Sequence, residues 1–532
     1  MDNEPEALLA ARLIERAAGA PGGVIHLARS PSRAARLAEA ARALGEGVEV
    51  IHLPAWDCLP YDRVSPSAAV MGERMAALHR MATAPGQRLL VTSVEAAGQR
   101  LPEPARAAPL VLRRGETLDA EGMADALRRL GYGSDDDLVD SPGEFGPRGE
   151  VLDVFPAREE AAPYRLEVQD GRIAAIRRYD PVTQRSEAES EEVVLPPASE
   201  VVALAGEDLP ERIPGLEHAL AALTPRLVSV FDLWPETEIV AEPEFEEARD
   251  RRAAEVADAF RLRIAVGAEE GAPEIVEPAR LTLDAAAWKA ALKGRRLIHA
   301  EAPEEVERPA FLEEDEPEEA FLDLVEQRSA AGCRVALAGA GVRANTLFRL
   351  MRRRRGQAPV EVPGWLAFRA LPPGIVAWLR APLTEGFGTE GTVVVAAAEV
   401  LPARAPGRER LQRAAFGEAT LRPGDAVVHI EHGLASLRGI EAVEAPPRRT
   451  APRFPPPNTC GWSSRTARPA SSPPRKSTGS GATARRRKPL PSTPRMAIPG
   501  PSAGRRSARR SRRPRARWPR RRRHAMRARR PS

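Results

Sequence analysis

Charge is divided sharply along this sequence, and the division limits which part of the chain can fold. Residues 445–532 hold 27 of the 79 Lys and Arg residues and no Asp or Glu, so residues 1–444 carry 52 basic against 74 acidic side chains. The same residues, 445–532, also hold 17 of the 52 prolines. They have almost no apolar periodicity and cannot bury enough surface to offset the entropy of ordering their backbone. We therefore expect an acidic folded body and a disordered Arg/Pro-rich tail over 451–532.

The start of the body alternates short apolar runs with amphipathic stretches. Apolar runs at 24–28, 48–53 and 89–93 are separated by helical patterns at 32–44 and 72–81. This alternation is typical of a parallel sheet that is covered by helices on both faces. It predicts an α/β fold.

The pattern changes at residue 115. One predicted helix at 120–130 is followed by strands that alternate in polarity, which indicates a small α+β module with antiparallel strands. The α/β pattern resumes after residue 196, with a strand predicted at 227–232 and a long polar helix at 244–260. The module is therefore predicted to interrupt one α/β domain, and a further α/β unit is predicted after it.

The cysteines and the amino terminus indicate the compartment. Cys58, Cys333 and Cys460 are odd in number and far apart, so they form neither a disulfide framework nor a Cys-x-x-Cys metal site. The amino terminus lacks the basic region of a signal peptide, and no stretch reaches the roughly 18 apolar residues of a membrane span. We expect a cytoplasmic protein without a membrane partner and without a metal or cofactor.

A nucleotide-dependent enzyme is the main alternative for an α/β chain. The phosphate-binding pattern GxxxxGK[ST] does not occur, and none of the four lysines follows a glycine. Gly339, Gly341 and Ala344 form a Gly-x-Gly-x-x-Ala sequence between a predicted strand and a predicted helix, as in NAD-binding proteins. Such turns are also common where no dinucleotide binds, so an NAD-dependent enzyme is the second interpretation.

Two arginines of the inserted module lie where strands begin. Arg148 stands in GEFGPRGEV next to a glycine, and Arg165 opens YRLEV. A guanidinium group there could bind a carboxylate of a partner protein through two parallel hydrogen bonds. Composition alone favours the simpler alternative, an ion pair within the module.

Several longer segments resemble the family of bacterial transcription-repair coupling factors, collinearly over about 1–444. The segments are LPAWDCLPYDRVSPS (53–67), VTSVEAAGQRLP (91–102), GEFGPRGEVLDVFP (143–156), YRLEVQDGRIAAIRRYDPVTQRS (164–186) and PGDAVVHIEHGLASLRGIE (423–441). The middle three are also similar to the excision-nuclease subunit UvrB. The last resembles the CarD-type RNA-polymerase-interaction domain, which UvrB lacks.

The resemblance implies a multidomain α/β protein with six parts. These are the first half of a UvrB-like, degenerate helicase domain (1–114), an inserted UvrA-binding α+β module (115–196), the second half of the UvrB-like domain (197–312), a second α/β domain (313–415), a partial CarD-like small β-barrel (416–450) and the tail (451–532). The implied function is that of an adaptor, which links stalled RNA polymerase to nucleotide excision repair by recruiting UvrA.

The resemblance also assigns binding residues. Arg148 and Arg165 match the arginines that bind UvrA, whereas Gln169 stands where the family often has an aromatic residue. Gly439, Ile440 and Val443 fall on the edge strand that pairs with the RNA polymerase β subunit. Addition of a strand to an exposed sheet edge is a physically sensible way to bind.

The tail departs from the family. The ATP-dependent motor of the family is expected after the CarD-like part, where this chain has Arg, Pro and Ser instead. Read in a shifted frame, residues 458–484 can encode a sequence that resembles the rest of that barrel. We therefore favour a frameshift near residue 450, with no ATP hydrolysis and weak or lost polymerase binding.

Two other interpretations of the tail stay open. It could be a localisation signal, or the basic arm of a stand-alone nucleic-acid-binding regulator. Whatever its origin, we expect its arginines to bind DNA phosphates without sequence preference.

Overall fold

A computed structural model of the chain describes residues 4–135, 138–267, 274–300, 306–311 and 314–401, and the backbone of 426–429, 433–442 and 458–464. These residues fall into two compact units, Met1–Ala403 and Arg404–Ser532. Within the described parts of the chain, no helix combines the length and apolar character that crossing a membrane requires.

The first 113 residues alternate helices and strands as predicted. The elements are α1 (Glu6–Gly19), β1 (Val24–Ala28), α2 (Pro31–Leu44), β2 (Glu49–Leu53), α3 (Ala68–Thr83), β3 (Arg88–Ser93), α4 (Val94–Ala97), β4 (Leu101–Pro102) and β5 (Leu110–Arg113). All side chains of β1 are buried, as in a sheet covered on both faces. Helix α2 begins where Ser30 accepts a hydrogen bond from the Arg33 backbone N–H, with proline at its first position.

The inserted module contains one helix and a six-stranded sheet. Its elements are α5 (Ala120–Arg129), β6 (Gly133–Ser134), β7 (Glu144–Arg148), β8 (Val151–Val154), β9 (Tyr164–Gln169), β10 (Arg172–Tyr179), β11 (Ser186–Ser190) and β12 (Glu192–Leu195). The sheet has the order β11-β10-β9-β8-β7-β6 and is antiparallel except between β6 and β7. Its apolar face packs on α5 through Leu127, Phe145, Leu152 and Leu166.

The start of the module differs from the predicted residue 115. Strand β5 pairs with β12, with Leu110 opposite Leu195, and Leu112 and Val193 belong to the module core. The chain therefore enters and leaves the module through one two-stranded ladder. The change of pattern near 115 reflects the first helix of the module and misses this entry strand.

After the module, the chain returns to the first sheet. The elements are α6 (Leu220–Leu223), β13 (Leu227–Val228), α7 (Val230–Leu233), β14 (Glu238–Ala241), α8 (Phe245–Val266), α9 (Pro278–Leu281), α10 (Ala285–Leu292) and β15 (Leu297–His299). Strands β14 and β15 complete a parallel sheet of order β15-β14-β1-β3-β2. Strands on both sides of the module thus build one sheet.

The strand predicted at 227–232 is wrong beyond its second residue. Ser229 and Asp232 form a reciprocal capping box, in which each side chain accepts a hydrogen bond from the backbone N–H of the other. This cap starts α7 directly after the two residues of β13. The apolar run alone could not distinguish a short buried helix from a strand.

The second α/β sheet follows in the same unit. Its elements are α11 (Pro317–Ala330), β16 (Arg334–Ala338), α12 (Gly341–Arg355), β17 (Val360–Val362), α13 (Trp365–Arg369), β18 (Val376–Leu379), β19 (Phe387–Thr389), β20 (Thr392–Ala396) and α14 (Ala397–Val400). The strand order is β17-β18-β16-β20-β19, with only β19 antiparallel among these strands.

The two α/β sheets share a core instead of meeting at a loose linker. One buried cluster contains residues of α1, α2 and β1 together with residues of α13, β16 and β18. Trp365 Nε1 donates a hydrogen bond to Glu15 of α1 at 2.8 Å. Phe311, which precedes the predicted boundary at 313, packs edge-on against Phe321 in the core of the second sheet. The predicted boundary at 313 therefore does not separate two independent domains.

The second unit contains a three-stranded antiparallel sheet, β21 (Ala426–His429), β22 (Gly433–Ala442) and β23 (Asn458–Ser464), in that order. Strands β21 and β22 lie in the range predicted to be CarD-like. Strand β23 differs from the expectation of a disordered tail from 451. Its backbone pairs with β22, and such pairing depends little on which side chains the added strand carries.

A buried ion pair joins the module to the first sheet. Arg74 of α3 donates to Glu200, and both side chains are fully buried. Trp56 Nε1 donates to the same carboxylate at 2.9 Å, and Arg74 Nη1 donates to the Pro54 carbonyl at 2.6 Å. Gly72 allows α3 to approach the backbone at Ala157 closely, because a Cβ atom at position 72 would lie 1.7 Å from the Ala157 carbonyl oxygen.

We expect Glu200→Gln to lower the free energy of unfolding by about 3–5 kcal/mol, since it leaves a buried guanidinium without its counter-charge. Chemical denaturation measures this. The double variant Arg74→Met/Glu200→Leu should recover much of the loss, because no charge then stays buried. A single variant as stable as the unchanged chain would show that the pair is not needed.

Candidate protein-binding surface of the inserted module

The register of the module sheet places the two predicted arginines on one face. Asp153 of β8 lies opposite Arg165 of β9, which lies opposite Arg177 of β10. Arg148 of β7 lies opposite Val151, two positions along from Asp153. Because residues opposite each other and residues two apart share a face of a sheet, Arg148 and Arg165 face the same way. Strand spacing puts their Cα atoms roughly 12 Å apart.

Arg165 is fixed by a bidentate ion pair. Its Nε donates to Asp153 Oδ1 at 2.8 Å and its Nη2 donates to Asp153 Oδ2 at 2.9 Å. The Arg165 side chain is 25% exposed, whereas Asp153 is 1% exposed. The hydrogen bonds to Asp153 raise the pKa of Arg165 above its ordinary value. The guanidinium is therefore charged and held in one orientation before any partner arrives.

Tyr179 supports the same side chain. The Arg165 guanidinium carbon lies 4.9 Å from the centre of the Tyr179 ring, a cation–π distance. Tyr179 is buried and donates its hydroxyl hydrogen to the Val139 carbonyl at 3.0 Å. Burial raises the pKa of Tyr179, while the charges of Arg165 and Arg148 oppose that rise. Both arginines thus lie close enough to Tyr179 to influence it electrostatically.

Arg148 is presented differently. It is exposed and is the last residue of β7, so the prediction that it lies where a strand begins is wrong. It stands immediately before Gly149, whose φ of +63° allows the tight turn into β8. The two arginines therefore differ in exposure. Arg165 is a rigid, half-buried group, and Arg148 is a solvent-accessible group at the rim of the same face.

Other charges on this face are paired across the strands. Arg177 contacts Glu167 and also lies 3.5 Å from Glu189. Gln169 ends β9 on the same face as Arg165 and is exposed. Because Nε and Nη2 of Arg165 already bind Asp153 and no described residue accepts from Nη1, that nitrogen can donate to an incoming acceptor. The ion pair within the module is therefore present, and it leaves part of the Arg165 fork available. Binding of a partner carboxylate by this arginine stays a prediction.

The Gly-x-Gly-x-x-Ala turn has a packing role in the second sheet. A Cβ atom at Gly339 would lie 2.7 Å from the Ala397 side chain and 3.0 Å from that of Ala344. Trp378 Nε1 donates to the Gly339 carbonyl at 3.1 Å, and Gly341 begins α12 with φ of +74°. Close packing and a left-handed turn therefore account for both glycines without a dinucleotide.

The residues predicted to bind RNA polymerase lie in the other unit. Gly439 and Ile440 are in β22, opposite Gly461 and Cys460 of β23. Strand β21 pairs only with the first four residues of β22. Beyond Ser436, the edge of β22 that faces away from β23 therefore meets no other described strand. Val443 lies outside the described residues.

The module fits a known family of interaction domains. Residues 110–201 match the family described as the UvrB interaction domain. This range begins at strand β5 and ends just past the buried Glu200, so it coincides with the module as the structure defines it.

The curated relatives are more specific. The chain is 39% identical over 155 residues to the transcription-repair-coupling factor of Myxococcus xanthus, and 32% identical over 197 residues to that of Escherichia coli K12. The matches cover 29% and 36% of this chain, and they span 13% and 16% of those relatives. The predicted resemblance of the N-terminal region to transcription-repair-coupling factors is thus confirmed.

We expect Asp153→Asn to lower the free energy of unfolding by about 1–3 kcal/mol, because it weakens two charge-assisted hydrogen bonds from a half-buried guanidinium. Chemical denaturation measures the change. Glu192→Gln is the control, since it removes a carboxylate whose ion pair with Arg113 is exposed on both sides and should alter stability by less than about 0.5 kcal/mol. Equal effects of the two variants would contradict the structural role of Asp153.

Proposed function

We propose that this chain acts in transcription-coupled DNA repair as an adaptor that recruits UvrA through the face of the module bearing Arg148 and Arg165. The match of residues 110–201 to the UvrB interaction domain is the observation that carries the proposal. The relatives are named transcription-repair-coupling factors, which supports the link to transcription.

The geometry of the face supports a protein partner. Arg165 is oriented by Asp153 and Tyr179, so little side-chain entropy is lost when it binds a carboxylate. Arg148 lies at the rim, where a charge affects the rate and orientation of encounter. Arginines that are desolvated and fixed in this way are common among residues that dominate binding energy.

We expect Arg148→Ala and Arg165→Ala each to weaken binding to purified UvrA by about 1–3 kcal/mol, as measured by calorimetry. Arg165→Lys should lose most of the same energy, because a lysine keeps the charge but not the planar fork. Arg178→Ala is the matched control. Arg178 of β10 is an exposed arginine of the same sheet, but it lies opposite Tyr164 and therefore on the other face.

The stability of each variant is measured alongside. If the Arg148→Ala/Arg165→Ala double variant folds and binds UvrA as tightly as the unchanged chain, the proposed surface is wrong. If Arg178→Ala weakens binding to the same extent, the effect reflects net charge and not this face.

We propose the RNA polymerase β subunit as a second, weak partner, reached by strand addition at β22 near Gly439, Ile440 and Val443. Beyond Ser436, one edge of β22 pairs with no other strand that the structure describes, which supports this mode, since an extended segment could pair with that edge. A sheet of three strands is marginally stable by itself, so we expect weak association at best. A pull-down with the isolated β subunit measures it. Tight association abolished by Val443→Asp would overturn the expectation of weakness.

The tail is proposed to bind DNA without sequence preference. Residues 445–532 contain 27 basic and no acidic residues, so the affinity of the tail for DNA should fall steeply with salt. The folded body would then bind protein partners, and the tail would bind phosphates.

A further inference from the structure

The exposed face of α12 carries three arginines and no acidic residue, in a body whose net charge is negative. The helix runs from Gly341 to Arg355 and contains no Asp or Glu. Ala344, Leu347 and Met351 bury one side of it. The opposite side presents Val342, Asn345, Thr346, Arg349, Arg352 and Arg353, which recur at helical spacing. We call these six residues the α12 basic face.

The arginines of this face have no carboxylate partner among the described residues. The Nε atom of Arg349 donates to the Asn345 carbonyl, which leaves its charge uncompensated. Neither Arg352 nor Arg353 forms an ion pair or a side-chain hydrogen bond within the described parts of the chain. All three are exposed.

Their neighbours in the same helix behave differently. Arg354 is turned towards α11, where it pairs with Glu319, Asp323 and Glu326 at 2.8, 2.9 and 3.1 Å. Arg355 donates to the Ser329 hydroxyl at 2.9 Å. Acidic residues of α11 thus neutralise Arg354. Arg349, Arg352 and Arg353 lie on the other, open side of the helix.

The attraction of cations to a helix carboxyl terminus explains part of this run. That effect fades within the last turn and contributes only about 0.3–1 kcal/mol for each charge. Arg349 lies more than one turn before the end at Arg355, so the dipole does not account for the whole face. A row of three unpaired positive charges in a body with 74 acids against 52 bases also opposes the general charge of the molecule.

The shape of the face favours one class of partner. An exposed helix is convex, and a duplex major groove is a concavity of matching width that is lined by phosphates on both sides. Guanidinium groups bind phosphates bidentately, and the short polar side chains of Asn345 and Thr346 between them can also donate to phosphate oxygens. An acidic peptide would more naturally be held in a concave cleft.

We propose that the α12 basic face is a second nucleic-acid-binding surface, which binds the phosphate backbone of duplex DNA independently of the tail and of the UvrA-binding face. It would hold the folded body against DNA in a fixed orientation, which a basic tail alone would not do. Sequence preference is not expected, since the face binds phosphates and not base edges.

Arginine-specific modification by phenylglyoxal tests this in the full chain. Mass spectrometry reads the modification rate of each arginine with and without a random-sequence duplex at low salt. We expect the duplex to slow modification of Arg349, Arg352 and Arg353 several-fold, and high salt to remove the protection. Arg226 and Arg251 are internal controls, since they are exposed and lie away from α12.

A triple variant separates the face from the tail. Arg349→Gln/Arg352→Gln/Arg353→Gln should reduce the slope of log affinity against log salt by about 2–3, at roughly 0.9 for each phosphate that the protein no longer neutralises. The matched control is Arg185→Gln/Arg226→Gln/Arg251→Gln, which removes three exposed charges outside α12. It should leave the slope nearly unchanged.

Two results would overturn the proposal. In the first, the two triple variants reduce the salt slope equally, so that only net charge matters. In the second, polyglutamate at the same charge concentration protects the three arginines as well as DNA does, so that an acidic polypeptide fits the face equally. Unchanged UvrA affinity in the α12 variant would show that this test is independent of the proposed adaptor function.

Discussion

The buried ion pair between Arg74 and Glu200 is the constraint on which the position of the module depends. Arg74 belongs to a helix that covers the first sheet, and Glu200 lies where the chain leaves the module. Both ends of the module are already held together by the ladder of β5 and β12. Both side chains of the pair are fully buried, so separating the module from α3 at this point would leave uncompensated buried charges at a high cost. A partner that binds the module therefore meets a surface with a defined relation to the first α/β sheet.

Strand register then decides what that surface displays. A shift of one residue in β9 would move Arg165 into the apolar core and bring Leu166 to the surface. Leu166 and Phe145, which are fully buried against α5, prevent the shift. The apolar core of the module thus positions the charged face on its other side. Asp153 and Tyr179 only complete an orientation that the packing has already imposed.

Much of this arrangement could be predicted from the sequence. Periodicity indicated the helices α2, α3, α5 and α8 and the interrupted α/β sheet, because these patterns are local. The alternating strands indicated the module. The motifs around Arg148 and Arg165 led to the prediction that these two arginines bind a partner, which stays a prediction. An ion pair of Arg165 within the module was one of the two predicted alternatives, but its partner Asp153 could not be identified, because the pairing depends on cross-strand register between β8 and β9.

The sequence predictions that were wrong depend on interactions that a local pattern does not contain, namely contacts between distant residues and hydrogen bonds that cap helices. The entry strand β5 was missed because its partner β12 lies about 80 residues later, and the shared core of the two sheets unites α1 with Trp365 in the same way. The capping box of Ser229 and Asp232 turned an apolar run into a helix. Strand β23 pairs through backbone groups, which leave no pattern in the side chains.

The carboxylate of Glu242 lies at the position in the first sheet where nucleotide-binding α/β proteins hold a phosphate. Helix α2 follows β1, and its amino-terminal end would ordinarily attract an anion. Glu242, just after β14, occupies that position, because its carboxylate accepts from the Arg29 backbone N–H at 3.2 Å and also contacts the Arg33 guanidinium. Burial would raise the pKa of Glu242, but the nearby His26 and Arg33 lower it to about 2. A charged carboxylate of the chain itself thus satisfies the helix end, and the sheet serves as a rigid support for the module.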